Sequence, residues 1–352
     1  MQKSPRWKRR PEGSNWGDFG PDDQLGRLNL LTPERVRRAA AEIRTGKTFC
    51  LSMPLDYPGG NAVNPRRVPP QLRPTLRDGK PIFNFPFERI DRRNSDIVCD
   101  DAVTMCLQYS TQWDSFAHVG AWFDPDGDGT LKKVYYNGYR GDTDICGPMR
   151  YDALEAGGLE HDCGAHGGAR ELGIENFAVQ GVQGRAVLAN LRAECGDARA
   201  AVGYEQLMRV LEAQKTGVEE GDMLLLYTGW TDLMLAMNKV PDMAVLDHAC
   251  AGLDGSDDKL LQWIADSGVV ALISDNYAVE ALPAREGGGR GPMLPLHQHC
   301  LFKLGIPLGE IWWLKDLADW LRENDRSRCF LTAPPLRLPG AVGSPATPIA
   351  TV

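Results

Sequence analysis

Between residues 184 and 276 the sequence alternates apolar runs with amphipathic segments, and this alternation constrains the fold more than any other feature. The runs GRAVLANL (184–191), DMLLLYTGW (222–230) and VVALISDN (269–276) are typical of buried strands. The segments YEQLMRVLEAQKTG (204–217) and KLLQWIADSG (259–268) have helical periodicity and end at glycine. Parallel strands joined by crossover helices satisfy this order. The sequence therefore predicts an α/β fold in a single domain.

Three further segments differ from this core in composition. Residues 1–13 include KSPRWKRR and are expected to be a flexible N-terminal arm, because a terminus with nothing to bury stays loose. Residues 54–98 are rich in Pro, Arg, Asn and Gly, which indicates a long excursion that serves as a lid or a subunit contact. Residues 333–352 are rich in Pro, Gly and small residues and are expected to form an extended tail. The domain itself is predicted to span residues 14–332.

The overall composition excludes several classes of partner. The net charge of −8 comes from 47 acidic and 39 basic side chains, which predicts no general attraction to nucleic acid or to a membrane. No apolar run approaches the roughly 18 to 20 residues that span a bilayer, and no signal-peptide core is present. The nine cysteines are an odd number without a C-x-x-C pair, which favours reduced thiols. We therefore expect a soluble, cytoplasmic protein.

The stretch QYSTQWDSFAH (108–118) concentrates polar side chains with a spacing of two. In an extended chain one face would carry Gln108, Ser110, Gln112, Asp114, Phe116 and His118. Two amides, a carboxylate and an imidazole would then point to one place, as in a metal site with glutamines where histidines are usual. Trp113 falls on the opposite face and is predicted to be a core residue.

The chain has only six histidines, at positions 118, 161, 166, 248, 297 and 299. Two of them lie in PLHQHCLFKLGIPLGE (295–310), upstream of Glu310. A helix that carries these histidines, a Gly-Ile-Pro turn and a strand that carries Glu310 would bring the carboxylate back towards them. The glycine-rich surroundings of His161 and His166 favour a polar loop. His248 is interpreted as a structural or surface residue.

These two segments resemble the site motifs of the cyclase family, the metal-dependent hydrolases that include bacterial kynurenine formamidase and isatin hydrolase. QYSTQWDSFAH is similar to the signature H-x-G-T-H-x-D-x-P-x-H, which Thr111, Asp114 and His118 match. The positions that depart from the signature are Gln108, Ser110, Gln112 and Phe116. PLHQH…GIPLGE resembles the second site segment, and NWG…DQLGRLNLLTPE, GDMLLLYTGW and ISDNYAVEALP resemble a longer branch of the family. The resemblance covers residues 14–325.

The resemblance implies a fold, an assembly and a set of site residues. The fold would be the family's swivelling β/β/α arrangement, and the chain would form a homo-oligomer, a dimer or a tetramer. In such enzymes the signature histidines and aspartate bind a divalent metal, the last histidine moves protons, and a distal histidine and glutamate complete the site. Carried over, the metal ligands would be Asp114, Gln112, Gln108, His297 and Glu310. The catalytic residues would be His118, Asp114 and Glu310, with His299 the alternative distal histidine. Apart from the resemblance, Trp16 of the N-terminal segment and His299 are predicted to contact the substrate.

The glutamines at positions 108 and 112 change what the site can bind. An amide offers a neutral oxygen where imidazole offers a nitrogen, so zinc should bind less tightly and manganese or magnesium should be favoured. Without a cation, Asp114 and Glu310 would repel each other, and one pKa would rise until that group retained a proton. A shared proton beside His118 is itself an acid/base device. The cofactor is therefore Mn, Mg or Zn, or none.

These residues lead to one main function and two alternatives. The main prediction is a hydrolase that cleaves a C–N or C–O bond of a small cyclic or aromatic amide or ester with a metal-activated water, His118 transferring the proton. The first alternative is a metal-free lyase, isomerase or cyclase that uses Asp114, His118 and Glu310 for proton transfer. The second is a catalytically silent protein that binds a small molecule, because a fold does not fix a function.

Overall fold

A nine-stranded mixed sheet forms the centre of the molecule. The structure of the protein is a computed structural model that describes residues 5–147, 167–284 and 291–352. In chain order the strands of the sheet are β1 (Thr48–Cys50), β2 (Gln112–Asp114), β3 (Gln183–Asn190), β4 (Met223–Tyr227), β5 (Ala271–Ser274), β6 (Leu308–Glu310), β7 (Arg328–Thr332), β8 (Gly343–Pro345) and β9 (Ile349–Thr351). In space they follow the order β1-β9-β7-β3-β4-β5-β6-β2-β8.

The centre of this sheet is parallel and its two edges are antiparallel. Strands β3, β4, β5 and β6 run parallel to one another, and their residues are almost all buried. Antiparallel pairs extend the sheet through β2 and β8 on one side and through β7, β9 and β1 on the other. The prediction of a single α/β domain with parallel core strands is confirmed.

Helices cover the sheet and provide the crossovers. The α-helices are α1 (Pro33–Ala39), α2 (Glu175–Gln180), α3 (Leu191–Cys195), α4 (Tyr204–Ala213), α5 (Trp230–Ala236), α6 (Met243–Leu246), α7 (Asp258–Asp266), α8 (Pro295–His297) and α9 (Lys315–Glu323). Helix α8 continues as a π-helix over Gln298–Leu304. Short 3₁₀ turns lie at Gly26–Leu30, Ala40–Glu42, Phe87–Arg89 and Tyr136–Gly138. Asp257 caps α7 by accepting from the backbone N–H groups of Lys259 and Leu260, which satisfies donors that a helix start leaves open.

The C-terminal segment corrects one prediction. Residues 333–352 form no separate tail, because β8 and β9 lie within them and join the sheet at opposite sides. Ala350 and Val352 are fully buried. The small residues that suggested disorder permit close packing instead: a Cβ at Gly343 would come within 2.5 Å of the Gln108 amide. Proline at position 345 is tolerated because β8 is an edge strand.

The N-terminal segment corrects a second prediction. From residue 5 onward it packs on the domain and is not a loose arm. The indole of Trp7 makes an edge contact with Trp16 at 5.5 Å between ring centroids. Arg6 stacks over the ring of Tyr139 and pairs with Asp22. The basic residues thus have partners within the domain that the charge pattern alone did not reveal.

Residues 54–98 contain short paired strands joined by loops, and their role as a lid or a subunit contact stays a prediction. Three small two-stranded sheets pair Gln71–Pro74 with Asp101–Thr104, Leu76–Arg77 with Lys80–Pro81, and Phe85–Pro86 with Ile97–Val98. Elsewhere Ala121–Phe123 pairs with Lys132–Val134, Ile145–Cys146 with Gly168–Ala169, and Ala200–Val202 with Ala251–Leu253. The excursion and the adjoining strand expose the large apolar side chains of Val68, Leu72, Leu76, Phe83, Ile90, Ile97 and Val103. This exposed set, the apolar arm, has no cover within the described chain.

Two further observations concern the cysteines and the helices. Cys146 is disulfide-bonded, so the prediction of uniformly reduced thiols is wrong at that position. The other seven cysteines of the described residues are free. Within the described residues, no helix combines the length and the apolar character that crossing a membrane requires.

Candidate active site

Strands β2 and β6 place two polar side chains opposite each other in the interior. Their antiparallel register pairs Gln112 with Glu310, and the Gln112 amide Nε2 donates to Glu310 Oε2 at 2.8 Å. The extended stretch is shorter than predicted, because it covers only Gln112–Asp114. The chain then turns, and the His118 N–H donates to the carbonyl of Ser115. This turn takes Phe116 off the polar face into the core.

The second site segment has the predicted helix, turn and strand. His297 ends α8, Gly305 turns the chain in the left-handed region, and β6 carries Glu310 back. The imidazole Nε2 of His297 lies 3.1 Å from Glu310 Oε1. Both side chains are almost fully buried. Of the two histidines in this segment, the structure therefore brings His297, and not His299, to Glu310.

A second carboxylate, which the sequence did not single out, holds the other side of His297. Glu280 Oε1 lies 2.7 Å from His297 Nδ1 and accepts from the His297 backbone N–H at 3.1 Å. Its Oε2 accepts from the backbone N–H of Leu296 at 3.1 Å. A carboxylate at Nδ1 fixes the ring orientation and directs Nε2 towards the site, as metal-binding histidines require. The sequence signal was slight: Glu280 lies within ISDNYAVEALP, which was noted only as a family-like segment.

Strained backbone lies on both sides of this cluster. Ala278 and Val279 have φ values of 84° and 57°, and Ile311 has a φ of 56°. A β-branched residue in the left-handed region costs on the order of 1 to 3 kcal/mol and persists only where its surroundings enforce it. Thr111 helps to enforce it at Ile311, because its hydroxyl donates to the Ile311 carbonyl at 2.6 Å. The strained turns set the directions of Glu280 and Glu310.

Asp114 is the unusual member of the cluster. Its carboxylate is fully buried, and neither oxygen has a hydrogen-bond partner within the described chain. The imidazole Nε2 of His118 lies 3.9 Å from Asp114 Oδ1, and the His118 side chain is 23% exposed. The Gln112 Oε1 atom is likewise buried without a partner. Three oxygen atoms are thus withheld from water with nothing to bind, which is a costly arrangement unless a cation or proton satisfies it.

The two buried carboxyl groups of the site differ in acidity. Burial raises the pKa of Asp114 to about 6, with the charge of Glu310 adding to the rise and those of His118, His297 and Arg67 opposing it. Burial also opposes ionisation of Glu310, but the hydrogen bond and charge of His297 outweigh it and leave its pKa below the usual value. Asp114 is therefore the carboxyl group that lacks a compensating donor.

His297 retains its proton strongly in this arrangement, because its pKa is raised. Burial lowers its pKa, but the hydrogen bonds to Glu280 and Glu310 outweigh this effect and raise the pKa to about 10. With no cation nearby, the imidazolium donates to both carboxylates. A cation at Nε2 would take the place of that proton, since a ligand nitrogen must be unprotonated.

The cluster fits a divalent cation. Ligand atoms of Asp114, His297 and Glu310 all lie within 4.8 Å of one another. The free Oε1 of Gln112 and the two oxygens of Asp114 supply further donors. This set is mainly oxygen with one nitrogen, which suits a hard ion better than zinc.

The remaining candidate residues lie at different distances from this cluster. The Gln108 amide packs against Gly343, which is opposite Asp114 in the sheet, so its part as a ligand stays a prediction. Trp16 is 1% exposed, and its indole donates to the Phe302 carbonyl, so the ring belongs to the core and does not face a substrate. His299 lines a separate cleft of about 590 Å³ beside Lys303, and it does not join the cluster.

Burial and the charge of Lys303 lower the pKa of His299 to about 4, so this ring is neutral. His161 and His166 lie outside the described residues. His248 is exposed, as interpreted from sequence. Only two of the six histidines, His118 and His297, therefore stand at the cluster within the described chain.

Comparison with known proteins identifies the family. The model of the family described as "Putative cyclase" matches residues 49–281. A crystal structure of a protein described as a novel cyclase is 31% identical, with a TM-score of 0.72, and the match covers 96% of this chain and 99% of that one. The chain belongs to the cyclase family, and the family and fold predicted from its motifs are confirmed.

Two isatin hydrolases share the fold at lower identity. Isatin hydrolase A from Labrenzia aggregata, bound to benzyl benzoate, is 14% identical with a TM-score of 0.53, covering 89% of this chain and 95% of that one. An isatin hydrolase bound to the product analogue thioisatinate is 13% identical with a TM-score of 0.52, covering 89% and 94%. No protein with a curated function matches the sequence.

Proposed function

We propose that the protein is a metal-dependent hydrolase that cleaves a C–N or C–O bond of a small cyclic or aromatic amide or ester. The observation that carries the proposal is the pair of buried, unpartnered Asp114 oxygens directed at the His297–Glu310 pair. A site built only for proton transfer would leave no reason to bury a carboxylate without a donor. Asp114, Gln112, His297 and Glu310 would hold the cation.

A divalent cation held there supplies Lewis acidity towards a carbonyl oxygen and a lower pKa for water. His118 performs the proton transfers, because it is the histidine of the cluster with an exposed edge and with Asp114 3.9 Å away. Its imidazole accepts the proton of the attacking water and returns it to the leaving nitrogen or oxygen. Glu280 keeps His297 in the orientation that directs Nε2 at the site.

The donor set favours manganese or magnesium over zinc. His297 is the single nitrogen donor, and Asp114, Glu310 and Gln112 offer oxygen. Replacing imidazole by an amide oxygen weakens a soft or borderline ion more than a hard one. The bound ion should therefore exchange readily.

The proposed small cyclic or aromatic substrate rests on the family resemblance. A cavity of about 190 Å³, lined by residues that include Trp230, Leu246 and Tyr277, reaches Glu280 on the Nδ1 side of His297, and none of the proposed ligands lines it. The isatin hydrolases that share the fold were crystallised with aromatic ligands, which is consistent with this class.

A substrate screen on purified protein, with and without chelator, tests the proposal. Small aryl formamides, lactams and esters should be hydrolysed, EDTA should abolish turnover, and manganese should restore it. Turnover that EDTA leaves unchanged would refute the metal requirement. Ligand binding without turnover across the screen would refute the enzyme and favour a binding protein.

One observation favours a second candidate, a metal-free lyase, isomerase or cyclase. Glu310 is already satisfied by protein donors, since Gln112 Nε2 and His297 Nε2 both contact it. Asp114, His118 and Glu310 would then share protons among themselves. Chelator-insensitive turnover with no water incorporated into the product would identify this function.

We also propose that the chain forms a homo-oligomer through the apolar arm. Seven large apolar side chains between positions 68 and 103 are exposed, and Leu72 and Leu76 are 73% and 67% exposed. Large apolar side chains exposed in this number favour a contact surface. A second copy of the chain is the partner that the family resemblance implies.

A further inference from the structure

Near the cluster of Asp114, His297 and Glu310, the positively charged side chain of Arg67 makes no ion pair within the described residues. Arg67 lies in the excursion and is half-buried. Within the described chain no carboxylate forms an ion pair with Arg67. Its side chain donates one hydrogen bond, from Nη1 to the backbone carbonyl of Gln108. A guanidinium has five donors, so most of its hydrogen-bonding capacity is open.

The contacts of Arg67 connect it to the segment that leads to Asp114. Gln108 opens the segment that leads to Asp114, and its amide lies against Gly343, the residue opposite Asp114. The Arg67 guanidinium also lies over the ring of Tyr277, with 5.9 Å between Cζ and the ring centroid.

Tyr277 approaches the site from the other side. It follows Asn276, whose carbonyl accepts from the N–H of Ile311, the residue after Glu310. Arg67 therefore contacts the segment that leads to Asp114 and the segment that carries Glu280, and its charge acts on the carboxylates of Asp114 and Glu310.

The loop that carries Arg67 is held in place. The Arg67 N–H donates to the Asn64 carbonyl at 3.0 Å, and the Asn64 amide donates to the Tyr277 hydroxyl at 2.9 Å. Asn64 is 8% exposed, whereas the neighbouring Arg66 is exposed. Arg66 also bonds to Asn64, through its backbone N–H and Nε, but only Arg67 of the two contacts Gln108 and Tyr277 in the described chain.

We propose that Arg67 binds an anionic group of the substrate, so that the preferred substrate is a small amide or ester that carries a carboxylate. This inference rests on the proposed function and names its substrate class. Within the described chain the Arg67 guanidinium makes no ion pair and one side-chain hydrogen bond, so its donors are available to a ligand. A planar carboxylate matches the guanidinium fork through two parallel hydrogen bonds. The ring of Tyr277 provides an adjoining flat surface for an aromatic substrate.

Binding of simple aromatic probes tests the assignment without requiring turnover. Benzoate, benzenesulfonate and neutral benzamide would be titrated calorimetrically into manganese-loaded protein. Benzenesulfonate is included because sulfonates are poor metal ligands, so its affinity reports the guanidinium. The wild type should bind both anions at least about tenfold more tightly than benzamide, the order expected for a charge-assisted pair.

The variants separate substrate binding from other roles. R67Q should lower the affinity for both anions about tenfold or more and change the affinity for benzamide less than twofold. R67K should recover part of the lost affinity for the anions. The control R66Q should bind all three probes as the wild type does. Equal weakening of all three probes by R67Q would show a structural role, and an effect of R66Q as large as that of R67Q would show general surface charge. Either result, or a wild type without anion preference, overturns the proposal. If anion binding depends on Arg67 but the protein hydrolyses no substrate of the screen, the proposed function is refuted and the anion site of Arg67 is retained.

Discussion

Replacing Glu280 by glutamine changes the hydrogen bonds that hold His297 in place, and all the proposed metal ligands stay unsubstituted. Glu280 is 2% exposed and accepts three hydrogen bonds, from the Leu296 N–H, the His297 N–H and His297 Nδ1. An amide has one oxygen, so E280Q presents an N–H group to at least one donor. A buried donor without a partner costs about 1 to 3 kcal/mol, and loss of the charge weakens the bond to Nδ1 further. We therefore expect a loss of roughly 2 to 4 kcal/mol in the free energy of unfolding.

The same change should loosen the proposed ligand. Without a carboxylate at Nδ1 the His297 ring loses its fixed orientation, and outer partners of this kind are worth about 10- to 100-fold in metal affinity. Manganese affinity would be measured by competition with a chromophoric chelator, and stability by urea unfolding. E205Q is the matched control, because Glu205 is 68% exposed and pairs with Lys259 on the surface, where the change should stay within about 0.5 kcal/mol. An E280Q protein that is destabilised but binds manganese within threefold of the wild type would refute the positioning role of Glu280.

Three further predictions concern His118, Gln112 and the apolar arm. H118A should reduce turnover by about 10²-fold or more while urea unfolding stays unchanged, and unchanged activity would refute its proton-transfer role. Q112H places a nitrogen donor at a position where the amide Nε2 lies 2.8 Å from Glu310. The affinity for zinc should therefore rise tenfold or more relative to that for manganese. An unchanged ratio of zinc to manganese affinity would contradict the ligand assignment. The pair L72D and L76D should convert an oligomer to a monomer in light scattering, whereas a monomeric wild type would contradict the assembly.

The central strands could be predicted from sequence because each is a run of buried residues between clear helices. The strands that carry the site could not be delimited in this way. Strands β2 and β6 have three residues each, too few to show a period. The C-terminal strands escaped prediction because Gly343, Ser344 and Pro345 have low strand propensity. The residues of β8 are ordered by backbone pairing with β2, which is a contact between segments far apart in sequence.

The site was predictable where its parts are close in sequence. His297 and Glu310 were paired correctly through a helix, a glycine turn and a strand. Glu280 was missed because its contact with His297 depends on the strained turn at Ala278 and Val279, which no propensity predicts. Phe116 was placed on the wrong face because the chain leaves the strand after Asp114.

Manganese binding measured by equilibrium dialysis with elemental analysis tests the central claim most directly. The protein would be purified without chelator and compared with D114A, which removes the carboxylate whose two oxygens have no partner in the described chain. The wild type should bind one manganese ion per chain at millimolar concentration or below, release it to chelator, and lose this binding in D114A. A wild type that binds no divalent ion at millimolar concentration would contradict the metal site, and stoichiometric zinc retained through dialysis would contradict its weak, oxygen-rich character.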